Sequence, residues 1–239
     1  MTLPVAGGGS LQAAVVDELG RRIAAAELPA GSVLSPDALT QEYGVSRTVV
    51  REALRTLETL GMTYARPRIG TVVRAAGDWD LLDERVIAWR STGPEATSQL
   101  ADLLLLREAV EPMIAAQAAR HADAAQATRL GGFCDRLDAA LAATDIAGFT
   151  AADTEFHRLL VEAAGSPVLR QLAQTLHATL ESRYHSDLPV FGTGTRRAVA
   201  RHRELAQAIG RQDANEAAAI AADLARQARS DLLALGRVV

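Results

Sequence analysis

Asp153 and His157 lie four residues apart, so on a helix they project from one face, one above the other. A carboxylate and an imidazole one turn apart make half of a site for a divalent metal such as zinc. The same pair on a solvated face is an ordinary hydrogen-bonded couple, so the spacing needs a third group. His202, on a later helical segment, can close the site across a bundle. Arg107 follows four leucines on what should be a mostly buried helix, and a buried guanidinium needs an anionic partner. Two partners are open: Glu111, four residues on, or the carboxylate of a small effector held by a bidentate fork. Arg107, Asp153, His157 and His202 are the candidate effector-binding residues, and the last three are also candidate metal ligands. His121 sits at a helix end, where a cation suits the dipole. His177 and His185 either line the pocket or face solvent.

A second chemistry is carried by Tyr43 to Arg55. Gly44 allows a sharp turn, Ser46 can cap a helix, and Val49, Val50, Ala53, Leu54 and Leu57 recur at helical spacing. Ser46, Arg47, Thr48 and Arg51 then crowd the N-terminal end. Free N–H groups and hydroxyls there can meet phosphates, and arginine can fork onto guanine in a major groove. An ordinary surface helix with solvated arginines is the bland alternative, and the flanks weaken it. Upstream, Leu11, Val15, Leu19 and Ile23 mark an amphipathic helix, and Pro36 opens a short helix through Tyr43. Downstream, Gly61 stops the helix, and Met62–Arg66 and Thr71–Arg74 read as two short strands around a Pro-Arg-Ile-Gly turn. That hairpin carries Arg66 and Arg68 as a wing able to touch the DNA backbone or minor groove.

Composition bounds the rest. The chain has 239 residues, 49% hydrophobic and only 4% aromatic, and its Ala and Leu content favours helix. Net charge is −4, and every basic residue is arginine. Residues 1–74 hold 8 Arg against 7 acids, so nucleic-acid binding rests on where the arginines lie rather than on bulk charge. A domain so weakly charged should bind as a dimer on a two-part site. One cysteine, Cys134, fits a reducing cytoplasm. No apolar run is long enough to span a membrane. Residues 1–10 read as a flexible tail, 11–74 as a winged helix-turn-helix, and 75–79 as a linker. Residues 80–239 read as an all-helical domain, to which a family resemblance assigns effector binding and dimerisation. Its expected helices are 80–91, 95–121, 123–143, 145–164, 167–186, 195–211 and 213–235. The fold class is mainly α.

The order helix, helix, recognition helix, wing resembles the GntR family of bacterial regulators. The matching residues are 28–34, Leu39, 44–54, Leu57-Glu58 and Gly70. The resemblance implies DNA contacts at Arg47, Thr48, Arg51 and Gly70. Some members carry a DNA-reading arginine where this chain has Asp37, so that contact is not implied. The second half is similar to the FCD ligand-sensing domain of the FadR subfamily, on Leu104 to Arg107, Glu111-Pro112, Ala151 to Asp153, Phe156-His157, 164–169, His202, Ala208-Ile209 and Asp213. Trp79, Leu81 to Asp83, Val86 and Trp89 look like the linker of galactonate-operon repressors and their sugar-acid-responsive relatives.

The resemblance implies a metal at Asp153, His157 and His202. Many members add a histidine about 22 residues after the one matching His202, and Asp223 is the nearest candidate here. Asp223 falls one residue short, and one residue turns a helix by about 100°. Either Asp223 ligates, or water and effector fill the shell, or no metal binds. The implied function is a regulator, not an enzyme: a homodimer that grips a double-stranded operator and is released by a small carboxylate such as a sugar acid. The alternatives are a metal-dependent enzyme acting on a small carboxylic acid and a helical partner-binding protein. No His-Glu-x-x-His or nucleophile motif supports the enzyme.

Overall fold

The computed structural model describes residues 10–172, 175, 178, 191–192 and 194–234. They form two compact units, one ending at Ala96 and the other beginning at Thr97.

The first unit is built on three helices. α1 (Leu11–Ala24) is capped by the Ser10 side chain and buries Val15, Val16, Leu19 and Ile23. α2 (Pro36–Tyr43) begins with proline after its Ser35 cap and ends at Gly44, whose φ of 64° is the left-handed value glycine tolerates best. α3 (Arg47–Thr59) is capped by Ser46, whose hydroxyl accepts from the Val49 N–H at 3.3 Å. Its apolar stripe, Val50, Ala53, Leu54 and Leu57, faces the core. The chain then turns at Gly61 into β2 (Thr63–Arg66) and β3 (Gly70–Val73), an antiparallel hairpin with Arg66 opposite Gly70. A third strand, β1 (Val33–Leu34), pairs with β3, giving the order β1-β3-β2.

The expected linker does not end this unit. Beyond a 3-10 turn at Ala76–Asp78, α4 (Glu84–Arg90) sends Val86 and Trp89 into the same core as α1 and α3. The Trp89 ring lies where a Cβ on Gly20 would be, at 2.5 Å, so only glycine at 20 admits it. Residues 80–96 therefore pack with the winged helix-turn-helix and not, as expected, with the helical domain.

The second unit contains α5 (Ala96–His121), α6 (Ala124–Ala143), α7 (Ile146–Ala163), α8 (Thr195–Gly210) and α9 (Ala214–Ala234). Asp123 and Gln126 close a capping box on α6, and Asp145 caps α7. Ile114, Ala118, Leu130, Phe156, Leu160, Leu205, Ile209 and Ala221 share one core. Cys134 is in it, and burial pushes its thiol up to about 12, which leaves it inert at neutral pH. Residues 167–172 are helical, as expected for the start of the 167–186 helix. His177 and His185 lie outside the described residues, as do residues 1–9 of the expected tail. No described helix is long and apolar enough to cross a membrane.

Candidate functional site

On the first unit, Ser46, Arg47, Thr48 and Arg51 are all exposed on the N-terminal half of α3, while the opposite stripe is buried. Arg66 and Arg68 are exposed on the hairpin. Arg68 sits at a φ of 63°, and Gly70 at 121°, with its missing Cβ facing Val33 and the Leu34 carbonyl. The tight tip thus holds two arginines outward. Asp37 lies on the same face, 3.4 Å from the Arg47 guanidinium. Its carboxylate neutralises part of the charge that Arg47 offers to a phosphate.

In the second unit, α7 and α8 bring three polar side chains together in an otherwise apolar bundle. Asp153, His157 and His202 are each buried, and one donor atom from each lies within 4.8 Å of the others. His202 Nε2 stands 3.3 Å from the Asp153 carboxylate and 3.4 Å from His157 Nε2. His157 Nε2 is 3.9 Å from the same carboxylate. The other nitrogen of His202 is 2.7 Å from the Ala198 carbonyl. A carbonyl only accepts, so Nδ1 carries a proton, and Nε2 is the ring nitrogen left facing the pocket. Burial pushes the His157 imidazole down to about 4, against the pull of Glu111 and Asp153. It is neutral at physiological pH, the form that ligates. Two imidazoles and a carboxylate converging this way suit a divalent ion with open positions left for another ligand.

Arg107 is beside them, 4% exposed, and its guanidinium donates to Glu111 at 2.6 and 3.4 Å. Burial alone would raise the Glu111 carboxyl, but Arg107, with smaller help from His157 and His202, holds it below the usual carboxylate range. Glu111 Oε1 also lies 3.7 Å from His157 Nδ1. Of the two partners the sequence left open for Arg107, the structural acid is therefore present. Arg107 still lines the pocket with Asp153, His157 and His202, so the second role survives beside the first.

Asp223 does not join this group. It points to the arginines instead, 3.0 Å from Arg201 and 3.4 Å from Arg197. Leu224, the next residue, faces the pocket, and the roughly 100° between them turns Asp223, a candidate ligand by sequence, away from it. What α9 adds to the lining is Gln227, Ala228 and Asp231, which sequence spacing did not single out. The Gln227–Asp231 pair reads from sequence as one more solvated couple on a helix face.

The two units match known domains. Residues 11–73 match the model described as bacterial regulatory proteins, gntR family, and residues 102–227 match the FCD domain. This chain belongs to the GntR family of bacterial transcription regulators, and its FCD domain is consistent with the FadR subfamily. It is 28% identical over 209 residues to the transcriptional regulator YieP of Escherichia coli (strain K12), covering 87% of this chain and 89% of that one. It is 24% identical over 204 residues to the galactonate operon transcriptional repressor of the same organism, covering 85% and 88%. The solved structure of a Streptococcus agalactiae GntR protein shares the fold, with a TM-score of 0.53 at 22% identity over 92% of this chain and 99% of that one. The family and these relatives are transcription regulators, not enzymes.

Proposed function

We propose that this protein is a ligand-responsive repressor, a cytoplasmic homodimer that grips a double-stranded operator and releases it when a small carboxylate fills the helical domain. The observation that carries the reading is the convergence of Asp153, His157 and His202 beside Arg107, in a chain whose first unit belongs to a DNA-binding family. The proposed DNA contacts are Ser46, Arg47, Thr48, Arg51, Arg66, Arg68 and Gly70, all on one α3-and-wing surface that is exposed or half-buried.

Asp153, His157 and His202 are the residues that would hold a divalent ion such as zinc. Such an ion would supply positive charge and open positions for carboxylate or hydroxyl oxygens. Arg107, which lines the same pocket, is placed to orient the acid. Sugar acids are one candidate class, because a galactonate operon repressor is among the relatives. The cavity encloses about 50 Å³ in this conformation. That suits an ion and a few ligand atoms, so a six-carbon acid would have to displace a lining side chain.

Dimerisation has support on α5. Leu105, Ala109 and Met113 are exposed at successive turns, with Leu105 at 52% and Met113 at 47%. A second copy of the chain covering this stripe would remove it from water. A thermal-shift screen of sugar acids, hydroxy acids and dicarboxylates, with and without chelator, tests the reading. A chelator-sensitive hit is expected, and a panel without hits would contradict a carboxylate sensor.

A further inference from the structure

The pocket has a second polar wall, and it is acidic. Gln227 Nε2 donates to Asp231 Oδ1 at 2.7 Å. That bond fixes the amide, so Gln227 Oε1 is left as an acceptor. Asp231 Oδ2 lies 3.2 Å from where a Cβ on residue 194 would be, and residue 194 is glycine. The space beside the carboxylate is thereby open. Thr195 lines the same wall, with its hydroxyl already accepting from the Gly192 N–H at 2.8 Å. Among the described residues no arginine or histidine lies within ion-pair distance of Asp231. Arg107, the cation across the pocket, is committed to Glu111. Asp231 is half-buried and faces the cavity, and a carboxylate in that position is a receptor for a ligand's cation.

We propose that the effector is a short amino-carboxylate: its carboxylate faces Arg107, His157 and His202, and its ammonium is received by Asp231 and Gln227. The proposal rests on the pocket being a carboxylate receptor and adds the chemistry of the ligand's other end. An ammonium has three donors for the acceptors on this wall, whereas a plain acid offers none and a dicarboxylate brings a second negative charge against Asp231. Gly194 sets the approach, since any larger side chain there would fill the space the ammonium needs. The small cavity limits the separation of the two charged ends to a few bonds.

The test uses the full-length protein with zinc present and a matched set: β-alanine, 3-hydroxypropanoate, propanoate and malonate, with their four-carbon counterparts and the sugar acids alongside. Binding is read by thermal shift and calorimetry, and folding of each variant by circular dichroism. The amino acid of a matched set should bind about tenfold or more tightly than the plain acid, as expected for one charge-assisted hydrogen-bonded pair. Asp231→Asn should erase most of that preference, and Asp231→Arg should turn it toward the dicarboxylate. If the hydroxy or plain acid binds as well as the amino acid, or if the preference survives in Asp231→Asn, the proposal is overturned while the carboxylate sensor stands. If no acid, sugar acids included, shifts the folded wild-type protein, both fall together.

Discussion

His157 and His202, 45 residues apart in sequence and on different helices, face each other through their Nε2 atoms at 3.4 Å. The Ala198 carbonyl accepts from Nδ1–H of His202, so Nε2 is the nitrogen turned toward its partner. Asp153 closes the triangle. Side chains held like this lower their energy by sharing a cation.

Zinc should therefore stabilise the wild-type protein, by about 2.7 kcal/mol at a hundredfold its dissociation constant. His202→Ala should abolish the gain, and Asp223→Ala should leave it intact, because Asp223 is occupied by Arg197 and Arg201. Melting curves against zinc concentration measure this. An unchanged gain in His202→Ala would remove the site.

Without metal, the buried His157 makes stability depend on pH. Its folded value is about 4, below the ordinary 6.5, so between these values the unfolded chain binds the proton that the folded chain refuses. Stability is full above pH 6.5 and falls as pH drops toward 4, at most by ~1.4 kcal/mol per unit. Urea titrations of chelated protein from pH 7 to 4.5 should show that slope in the wild type and less of it in His157→Leu. Equal slopes would mean that other groups carry it.

Arg107 and Glu111 can be separated by a mutant cycle. Arg107→Ala strands a buried carboxylate and should cost about 3–5 kcal/mol, whereas Arg107→Met with Glu111→Leu should recover most of it. The double variant then reports on ligand. It should fold yet bind acids weakly, and undiminished binding would confine Arg107 to a structural part.

On DNA, Arg47→Ala and Arg51→Ala should each lower affinity by about 1–3 kcal/mol and relax sequence preference, while Arg66→Ala and Arg68→Ala should weaken all duplexes and reduce the salt slope by about one each. Asp37→Asn should raise affinity for any duplex, since it removes a negative charge beside Arg47. Anisotropy titrations across a salt series read all five variants. An affinity that falls in Asp37→Asn would assign Asp37 a direct contact with a base.

The helices and the wing could be read from the chain because their signals are local. Ser46, Gly44 and the Val50 to Leu57 stripe specify the start, entry and buried face of α3 within about a dozen neighbours. The two-residue β1 left no periodicity to read, because its pairing with Val72 and Thr71 is long-range. The expected 80–91 helix was assigned to the helical domain, because nothing local to it shows which core it joins. That choice rests on Trp89 meeting the bare backbone of Gly20, far upstream. At the pocket, Asp153 and His157 were legible from their one-turn spacing. Asp231 was not, because what makes it notable is Gly194, Gln227 and the cavity it faces. Asp223 was expected one residue from where the helix turns toward the pocket, and a one-residue phase error is a large angle on a helix.

The most direct test couples the two units. A duplex selected from a random library by the wild-type protein is titrated by anisotropy, with and without the acid that most stabilises the protein. The account predicts a five- to hundredfold-order loss of DNA affinity, about 1–3 kcal/mol of coupling. The loss should vanish in His157→Ala and His202→Ala, which still bind the duplex. An acid that binds the pocket and leaves DNA affinity unchanged would contradict it.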